Sequence, residues 1–354
     1  MKYLITEVNS ESGARFTAGV KARDDIETIA KMNGYVLIGV KVEGDKRKNS
    51  LVFNKLAAHK KIEIEWNKET SHLKAGDELL IQFPVLNHSV LLYKVVERLK
   101  KKNVKVTLLI HDLEIFRAAL RKDNSLQKKI RLKFEEKSLL DMGDKIIVHN
   151  SRMRDVLIGM GYSQENIQVL EIFDYLIPNY EDKSNPKSFD KYKPVVIAGA
   201  LRYHKAKYVY DLPHNIDFNL YGVGYEDKKQ KNINYFGAFQ PDDLPFQLKG
   251  SFGLVWDGES CDTCTGIYGE YLKINNPHKT SLYLASGMPV IIWDKAALAE
   301  FVQRNCCGIT IKSIGEIDEK LKVMSEEEYQ TIKANAENIG KRLRIGYYTI
   351  SALK

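Results

Sequence analysis

Short apolar runs alternate with helical patterns along the whole chain, and this alternation constrains the fold more than any other feature. The runs at 78–83 (ELLIQF) and 290–293 (VIIW) are almost continuously apolar, which is typical of strands buried on both faces of a parallel sheet. Helical stretches such as 18–32 lie between the runs, as the crossover connections of parallel strands require. The sequence therefore predicts an α/β fold.

The alternation occurs twice, with about six strands in each half, which indicates two doubly wound sheets. The predicted strands are 3–7, 35–41, 78–83, 104–110, 145–149 and 167–171 in the first half, and 195–198, 218–221, 233–236, 252–256, 290–293 and 308–312 in the second. The predicted helices are 18–32, 90–102, 126–140, 278–286, 295–304 and 325–343. The segments 44–75 and 116–135 are interpreted as loops.

A polar segment bounded by prolines, 178–186, separates the two series and has the composition of a linker. We therefore predict one Rossmann-like domain at 1–177 and a second at 187–340. We expect the remaining residues, 341–354, to form a helix that crosses back to the first domain. Ligands of doubly wound sheets bind beyond the carboxyl ends of the strands, so the expected site is a cleft between the two sheets.

Charge and motifs narrow the class of protein. The formal net charge of +8 favours an anionic partner, such as nucleic acid, a phosphorylated small molecule or an acidic membrane surface. No recognisable nucleic-acid-binding module accompanies that charge, so nucleic acid is not an expected partner. The first strand is not followed by a G-x-G-x-x-G motif, and the chain has no Walker loop, which disfavours a nicotinamide enzyme.

The termini and the cysteines bear on localisation. The N-terminus reads as a strand rather than as an export signal, and no run approaches the roughly 20 apolar residues of a membrane-spanning helix. The four cysteines form two close pairs, Cys261 with Cys264 and Cys306 with Cys307, which suits a reducing cytosol. The CxxC spacing lacks a second Cys or His pair, so we expect no bound metal.

The segment from Asn276 to Ser281 carries the strongest functional signal. Pro277 suits a helix start, and the helix pattern that follows ends at Gly287, just before an apolar strand. The start of such a helix presents free amide groups and its positive dipole end, here beside Lys279, Thr280 and Ser281. This arrangement is typical of a diphosphate-binding site, although an ordinary capped helix would give the same pattern.

A basic helix start followed by small-Gly-x-Pro-Val-Ile resembles the donor-binding segment of glycosyltransferases with two Rossmann domains, the GT-B type. Much of the chain is closely similar to bacterial β-1,6-galactofuranosyltransferases, and a looser similarity joins it to streptococcal adhesin glucosyltransferases. The segments that carry the similarity are 18–23, 110–112, 172–176, 220–222, 252–259, 270–284 and 293–299. Many retaining members have a Glu where this chain has Lys279, which weighs against the retaining branch.

The resemblance implies an inverting transfer of galactofuranose from UDP-galactofuranose to a sugar on a lipid-linked glycan of surface polysaccharide or O-antigen synthesis, at the inner face of the membrane. The departing diphosphate needs positive charge, for which we select Lys279, the amides after His278, and Arg202 in the turn after strand 195–198. The other expected donor ligands are Lys205, Tyr221, Tyr235, Asn276, Thr280 and Ser281. Core positions remain the alternative for the two tyrosines.

The acceptor hydroxyl needs a general base. Asp112 follows the strand 104–110 and is the first choice, with His111 as its neighbour or replacement and Asp24 and Glu114 as further candidates. A helix-capping role for Asp112 is the alternative. Two other functions stay open, namely a glucosyltransferase or other UDP-sugar transferase, and a catalytically silent nucleotide-sugar-binding partner. The expected partners are thus a UDP-sugar and a glycan acceptor, with a homo-oligomer also compatible. No cofactor is expected.

Overall fold

The computed structural model describes residues 1–9, 18–42, 52–86, 89–120, 131–183, 189–226 and 230–354. By compactness the chain divides into two units. The first comprises the described residues within 1–14, 26–149 and 154–169, and the second those within 15–25, 150–153 and 170–354. Among the described residues, no helix has the length and apolar character needed to cross a membrane.

Each unit contains one sheet of six parallel strands, in the order β2-β1-β3-β4-β5-β6 in the first and β12-β11-β10-β7-β8-β9 in the second. The strands are β1 Lys2–Asn9, β2 Val36–Val42, β3 Glu78–Phe83, β4 Lys105–Ile110, β5 Lys145–Val148, β6 Ile167–Val169, β7 Val195–Ala200, β8 Phe218–Val223, β9 Ile233–Tyr235, β10 Gly253–Val255, β11 Val290–Trp293 and β12 Gly308–Ile311. This is the predicted fold, two Rossmann-like sheets of the GT-B type.

The helices connect these strands. The α-helices are α1 Ala18–Met32, α2 Val52–Glu69, α3 Leu92–Lys101, α4 Glu114–Leu120, α5 Ser138–Leu140, α6 Ser151–Gly159, α7 Tyr180–Lys183, α8 Leu244–Gln247, α9 Gly266–Tyr271, α10 His278–Ala285, α11 Ala299–Arg304, α12 Ile317–Val323, α13 Glu326–Arg344 and α14 Tyr347–Leu353. A π-helical turn, Lys133–Lys137, precedes α5.

Two stretches interpreted as loops contain regular structure. The segment 44–75 holds the 18-residue helix α2, whose buried Trp66 anchors it to the first unit. The segment 116–135 holds most of α4 and the start of the π-helical turn. The predicted helix 126–140 falls partly outside the described residues, as does the predicted linker 178–186, whose described part includes α7.

The apolar runs form the core of each sheet because their side chains face the helices on both sides. In the first unit, Leu79, Leu108 and Leu109 have no exposed surface. The second unit buries Leu254 and Ile291 just as completely. The sequence predicts the site at the carboxyl ends of these strands.

Candidate active site

Helix α10 is fixed to the second sheet by Tyr283. Its hydroxyl accepts a hydrogen bond from the Ala198 amide at 2.7 Å, and its ring lies so close to β10 that a Cβ added at Gly253 would be 2.1 Å from it. Glycine is therefore required at this position for the helix to approach the sheet. Pro277 is the N-cap residue, and no described side chain caps the helix.

Most polar residues of the donor segment stabilise the second unit. Ser281 Oγ donates to the Phe173 carbonyl at 2.7 Å. Asn276 accepts a hydrogen bond from Asn150 at 2.8 Å and donates to the Glu171 carbonyl at 3.0 Å. Thr280 is fully buried, and its hydroxyl has no hydrogen-bond partner among the described residues. The structure thus gives Asn276 and Ser281 positioning roles around the helix start.

His278 is the first residue of α10, and its ring lies among aromatic side chains. The ring centroids of Tyr175 and Phe173 are 5.1 and 6.2 Å away. Burial, with a contribution from the positive charge of Lys21, lowers the pKa of His278 to about 3. The imidazole is therefore neutral at physiological pH, and its Nε2 has no hydrogen-bond partner among the described residues.

Lys279 is the second residue of α10, and its ammonium group contacts an anion and a carbonyl. Its Nζ lies 2.8 Å from Asp257 Oδ1 and 2.8 Å from the Trp256 carbonyl oxygen. Asp257 follows β10, next to Gly258, whose φ of +116° places it in the left-handed region. A Cβ at Gly258 would lie 2.2 Å from the Thr265 carbonyl oxygen, so glycine is needed where the chain turns after Asp257.

Arg202 lies in the turn after β7, at the point where the ends of β7 and β8 come very close together. A Cβ at Gly222 would lie 1.7 Å from the Gly199 carbonyl oxygen, so only glycine fits where β7 and β8 end. The stem of Arg202 then packs over Gly224, where an added Cβ would be 2.3 Å from Arg202 Cγ. Arg202 is exposed and forms no ion pair with a described carboxylate. Nearby, Lys205 Nζ lies 5.5 Å from the Tyr268 ring centroid.

The two candidate tyrosines differ in exposure. Tyr221 is fully buried, its ring stacks on Phe236 with centroids 4.9 Å apart, and its hydroxyl accepts from the Lys249 amide at 3.1 Å. Tyr235 is 41% exposed, and its hydroxyl donates to the Gly222 carbonyl at 2.8 Å. The surroundings of Tyr221 are those of a core residue, whereas Tyr235 presents its ring at the surface.

In the first unit, His111 follows β4 and belongs to a chain of hydrogen bonds. Its Nε2 lies 2.7 Å from Gln82 Oε1. The Gln82 amide nitrogen donates to Glu27 Oε1 at 3.3 Å, and the Thr6 hydroxyl donates to Glu27 Oε2 at 2.7 Å. Gln82 is the one polar residue in the buried stretch of β3. Its side chain is buried, but it contacts the polar groups of His111 and Glu27 rather than apolar core residues.

Asp112 is held by the helix that follows it. Its Oδ1 accepts from the Leu113 amide at 2.9 Å, and its Oδ2 lies 2.6 Å from Arg117 Nη2. The same guanidinium binds Glu114 at 2.9 Å. Asp112 therefore lies at the entry to α4, bound by the Leu113 amide and Arg117, while about 29% of its side chain stays exposed.

Glu136 binds the first backbone amides of α4. Its carboxyl oxygens accept hydrogen bonds from the amides of Glu114 and Ile115 at 3.0 and 2.9 Å. The side chain is 99% covered, and burial raises its pKa to about 7 despite those two bonds. The carboxyl thus changes its protonation state near neutrality.

Three residues of these arrangements were not selected from the sequence for these roles: Gln82, Glu27 and Glu136. The only local signal for Gln82 was a polar residue inside an apolar run, and no spacing links it to Glu27, 55 residues earlier. Glu136 lies within the predicted helix 126–140, and no feature of that helix pattern points to a contact with the amides of Glu114 and Ile115. Asp257 lies 22 residues before Lys279, and their pairing depends on tertiary structure.

The cysteines form no disulfide. Burial raises the pKa of Cys261 to about 12, and Cys264 lies under Gly269, where an added Cβ would be 2.5 Å from the Cys264 backbone. Within the described ranges, no group of three or more His, Cys, Asp or Glu side chains is arranged to hold a metal ion.

The fold occurs in solved glycosyltransferase structures. A glycosyltransferase from Rickettsia africae superposes with a TM-score of 0.58 at 14% identity, covering 99% of this chain and 97% of that one. The lipopolysaccharide outer core galactosyltransferase WaaB superposes with a TM-score of 0.56 at 13% identity and the same coverage. The two parallel sheets define the class of protein, a GT-B glycosyltransferase fold.

Comparison of sequences gives the family. The profile of the glucosyltransferase 3-like N-terminal domain matches residues 2–172, and that of the C-terminal domain matches 195–354. The β-1,6-galactofuranosyltransferase WbbI of Escherichia coli K12 is 38% identical over 278 residues, 78% of each chain. Glucosyltransferase 3 of Streptococcus gordonii is 24% identical over 362 residues, all of this chain and 97% of its own. The chain belongs to the glucosyltransferase 3-like family and is a glycosyltransferase.

Proposed function

We propose that this glycosyltransferase transfers galactofuranose, with inversion, from UDP-galactofuranose to a sugar acceptor of cell-surface polysaccharide synthesis. One observation carries the choice of donor: the 38% identity with a β-1,6-galactofuranosyltransferase over 78% of each chain. The strand-to-helix segment at α10 supports a nucleotide sugar, because a helix start and a lysine suit a diphosphate.

The second unit would bind the leaving diphosphate. Lys279 supplies a cation at the start of α10, and Arg202 supplies a second one in the turn after β7. Charge-assisted hydrogen bonds from a guanidinium reach two phosphate oxygens at once. As the bond between the anomeric carbon and the diphosphate breaks, these cations stabilise the electron pair that leaves on UDP.

The first unit would deprotonate the acceptor. An inverting transfer is one displacement, in which the acceptor oxygen bonds to the anomeric carbon from the face opposite UDP. A base at the carboxyl end of β4, His111 or Asp112, takes the hydroxyl proton. Because Arg117 and the Leu113 amide already bind Asp112, we favour His111 for this role.

A glucosyl donor is the second candidate, because the glucosyltransferase 3 of S. gordonii is similar along the whole chain. The test is a panel of UDP-galactofuranose, UDP-galactopyranose and UDP-glucose, each with a glucoside acceptor, with the product linkage determined by NMR. A β-galactofuranosyl product supports the proposal, and transfer from UDP-glucose alone replaces it. UDP binding without transfer or hydrolysis of any donor would indicate the silent nucleotide-sugar-binding partner.

Two further properties belong to the proposal. Transfer would need no metal ion, because Lys279 and Arg202 supply the positive charge, so full activity in EDTA is expected. The net charge of +8 would favour peripheral contact with an anionic cytoplasmic membrane surface that carries the lipid-linked acceptor. Co-sedimentation with phosphatidylglycerol vesicles tests this contact, and equal recovery with neutral vesicles would contradict it.

A further inference from the structure

We propose that Gln82, held by Glu27, is a positioning residue that fixes His111 as the Nε2–H tautomer and so leaves the Nδ1 lone pair to accept the acceptor's proton. The inference rests on the proposed transfer reaction and adds to it the atom that carries the proton. All three residues belong to the first unit.

The direction of the hydrogen bonds follows from chemistry, starting at the carboxylate. Ionised Glu27 only accepts hydrogen bonds, and its two oxygens receive them from Thr6 and Gln82. The Gln82 side chain must therefore turn its NH2 group toward Glu27. Its carbonyl oxygen, Oε1, then faces His111, and an amide oxygen only accepts.

The tautomer of His111 is the consequence. The contact of 2.7 Å between Nε2 and Gln82 Oε1 requires a hydrogen on Nε2, because Oε1 has none to give. A neutral imidazole with its hydrogen on Nε2 has its lone pair on Nδ1. The opposite tautomer would bring two lone pairs together at this distance.

The backbone around Gln82 and His111 is well ordered by strand pairing, which favours a single tautomer of His111. Gln82 is only 3% exposed and lies on β3, which is paired to β4 from Glu78 to Phe83. The His111 amide extends that pairing by donating to the Phe83 carbonyl at 2.7 Å. The backbone pairing thus holds the two residues in a fixed register, side by side on neighbouring strands.

The proton transfer balances within this arrangement. The acceptor O–H bond breaks, its hydrogen goes to Nδ1, and the oxygen's electron pair forms the new bond to the anomeric carbon while UDP departs. The resulting imidazolium keeps its Nε2–H bond to Gln82 Oε1. Orienting a histidine through its other nitrogen is a general means of fixing the basic atom.

The experiment uses the full-length protein with ¹⁵N-labelled histidine, with the His111 signals assigned from the His111→Gln variant. Long-range ¹H–¹⁵N spectra at pH 7.5 are expected to show His111 protonated at Nε2. Replacing Gln82 by Met removes the acceptor while keeping the side-chain length. This variant should lose the dominance of the Nε2–H form and lower kcat by about 10–10²-fold, with the KM for the donor changed less than twofold.

Gln82→Glu is the conservative variant. Its carboxylate still accepts from Nε2, so the tautomer should be retained and kcat restored to within about threefold of the wild type. Its negative charge, together with that of Glu27, should move the acidic limb of the kcat–pH profile upward. The buried His149 ring, which contacts the Ile110 carbonyl, has a pKa lowered to about 4 by burial and adds no charge at neutral pH. Gln168→Met, at an exposed position of β6, is the matched control and should change neither readout.

Two results would overturn the proposal. One is a wild-type His111 protonated at Nδ1. The other is a folded Gln82→Met variant, verified by its melting temperature, that keeps the wild-type kcat. The tautomer measurement needs no substrate, so absence of transfer from every UDP-sugar would reject the proposed function while the spectra still decide the assignment of the ring.

Discussion

Lys279 and Asp257 form an ion pair at the start of α10, with 2.8 Å between Nζ and Oδ1 and 16% of each side chain exposed. The lysine that is proposed to bind the diphosphate therefore already has an anionic partner. A diphosphate must compete with Asp257 for Lys279, and this competition sets opposite expectations for the two residues.

Replacing Lys279 by Ala should weaken UDP binding by about 1–3 kcal/mol, the range for loss of a charged hydrogen bond in a site. Isothermal titration calorimetry measures this change. Ser281→Ala is the control on the same helix, because Ser281 binds the Phe173 carbonyl. That variant should lower the melting temperature with little effect on affinity. Unchanged affinity in Lys279→Ala would remove the lysine from the site.

Replacing Asp257 by Asn should have the opposite effect and tighten UDP binding about 3–10-fold at low salt. The neutral amide competes less for Lys279 and removes a negative charge close to the diphosphate. Titrations at two salt concentrations test this explanation, since the gain should shrink at higher ionic strength. Weaker binding in this variant would mean that Asp257 mainly orients the lysine.

Substitutions of Tyr221, in β8, and Tyr235, at the end of β9, should have different effects on UDP affinity in the same calorimetric assay. Tyr221→Phe removes the hydroxyl that accepts from the Lys249 amide, so it should cost about 1 kcal/mol of unfolding free energy and leave UDP affinity unchanged. Tyr235→Ala should weaken UDP about 3–10-fold through lost stacking, with little change in stability. If Tyr221→Phe weakened UDP binding and Tyr235→Ala only lowered stability, Tyr221 would be the donor ligand and Tyr235 the structural residue.

The unfolding free energy should depend on pH through Glu136. Its pKa is about 7 in the folded protein against a usual value of 4.5, so the folded state binds the proton more tightly. The stabilising contribution is complete below pH 4.5 and is lost as the pH rises through 7. Relative to Glu136→Gln, the wild type should lose about 3 kcal/mol between pH 5 and pH 8. Urea titrations at a series of pH values measure the unfolding free energy of both proteins. The prediction would be contradicted if the two proteins showed the same dependence of that free energy on pH.

Residue patterns were sufficient to predict the two sheets. An apolar run flanked by turns is a local signal, and β3 and β11 have the predicted bounds. Helix α2 was missed because its apolar residues are interrupted by lysines and glutamates. Among its residues whose burial is described, Trp66 is the large apolar side chain that reaches the core. Local periodicity does not reveal which single residue anchors a helix.

The candidate site was predictable only in part. Within each unit the candidate residues follow from strand order, the end of β4 in the first and the start of α10 with Lys279 in the second, because parallel strands collect their carboxyl ends at one edge of their sheet. The partners of these residues do not follow, since Asp257, Gln82 and Glu27 reach them through packing between elements distant in sequence. The donor and catalytic roles of all these residues stay predictions.

The helix start at α10 depends on segments that lie far from it in the chain. Asn150 binds both Asn276 and the Ile274 carbonyl, Phe173 accepts from Ser281, and Asp174 accepts from the amides of Tyr348 and Thr349 at 3.2 and 2.6 Å. A fragment trimmed to the C-terminal family domain, 195–354, lacks all three partners. Such a fragment would leave these groups unsatisfied, so it is a poor substitute for the intact chain in crystallisation or ligand screening.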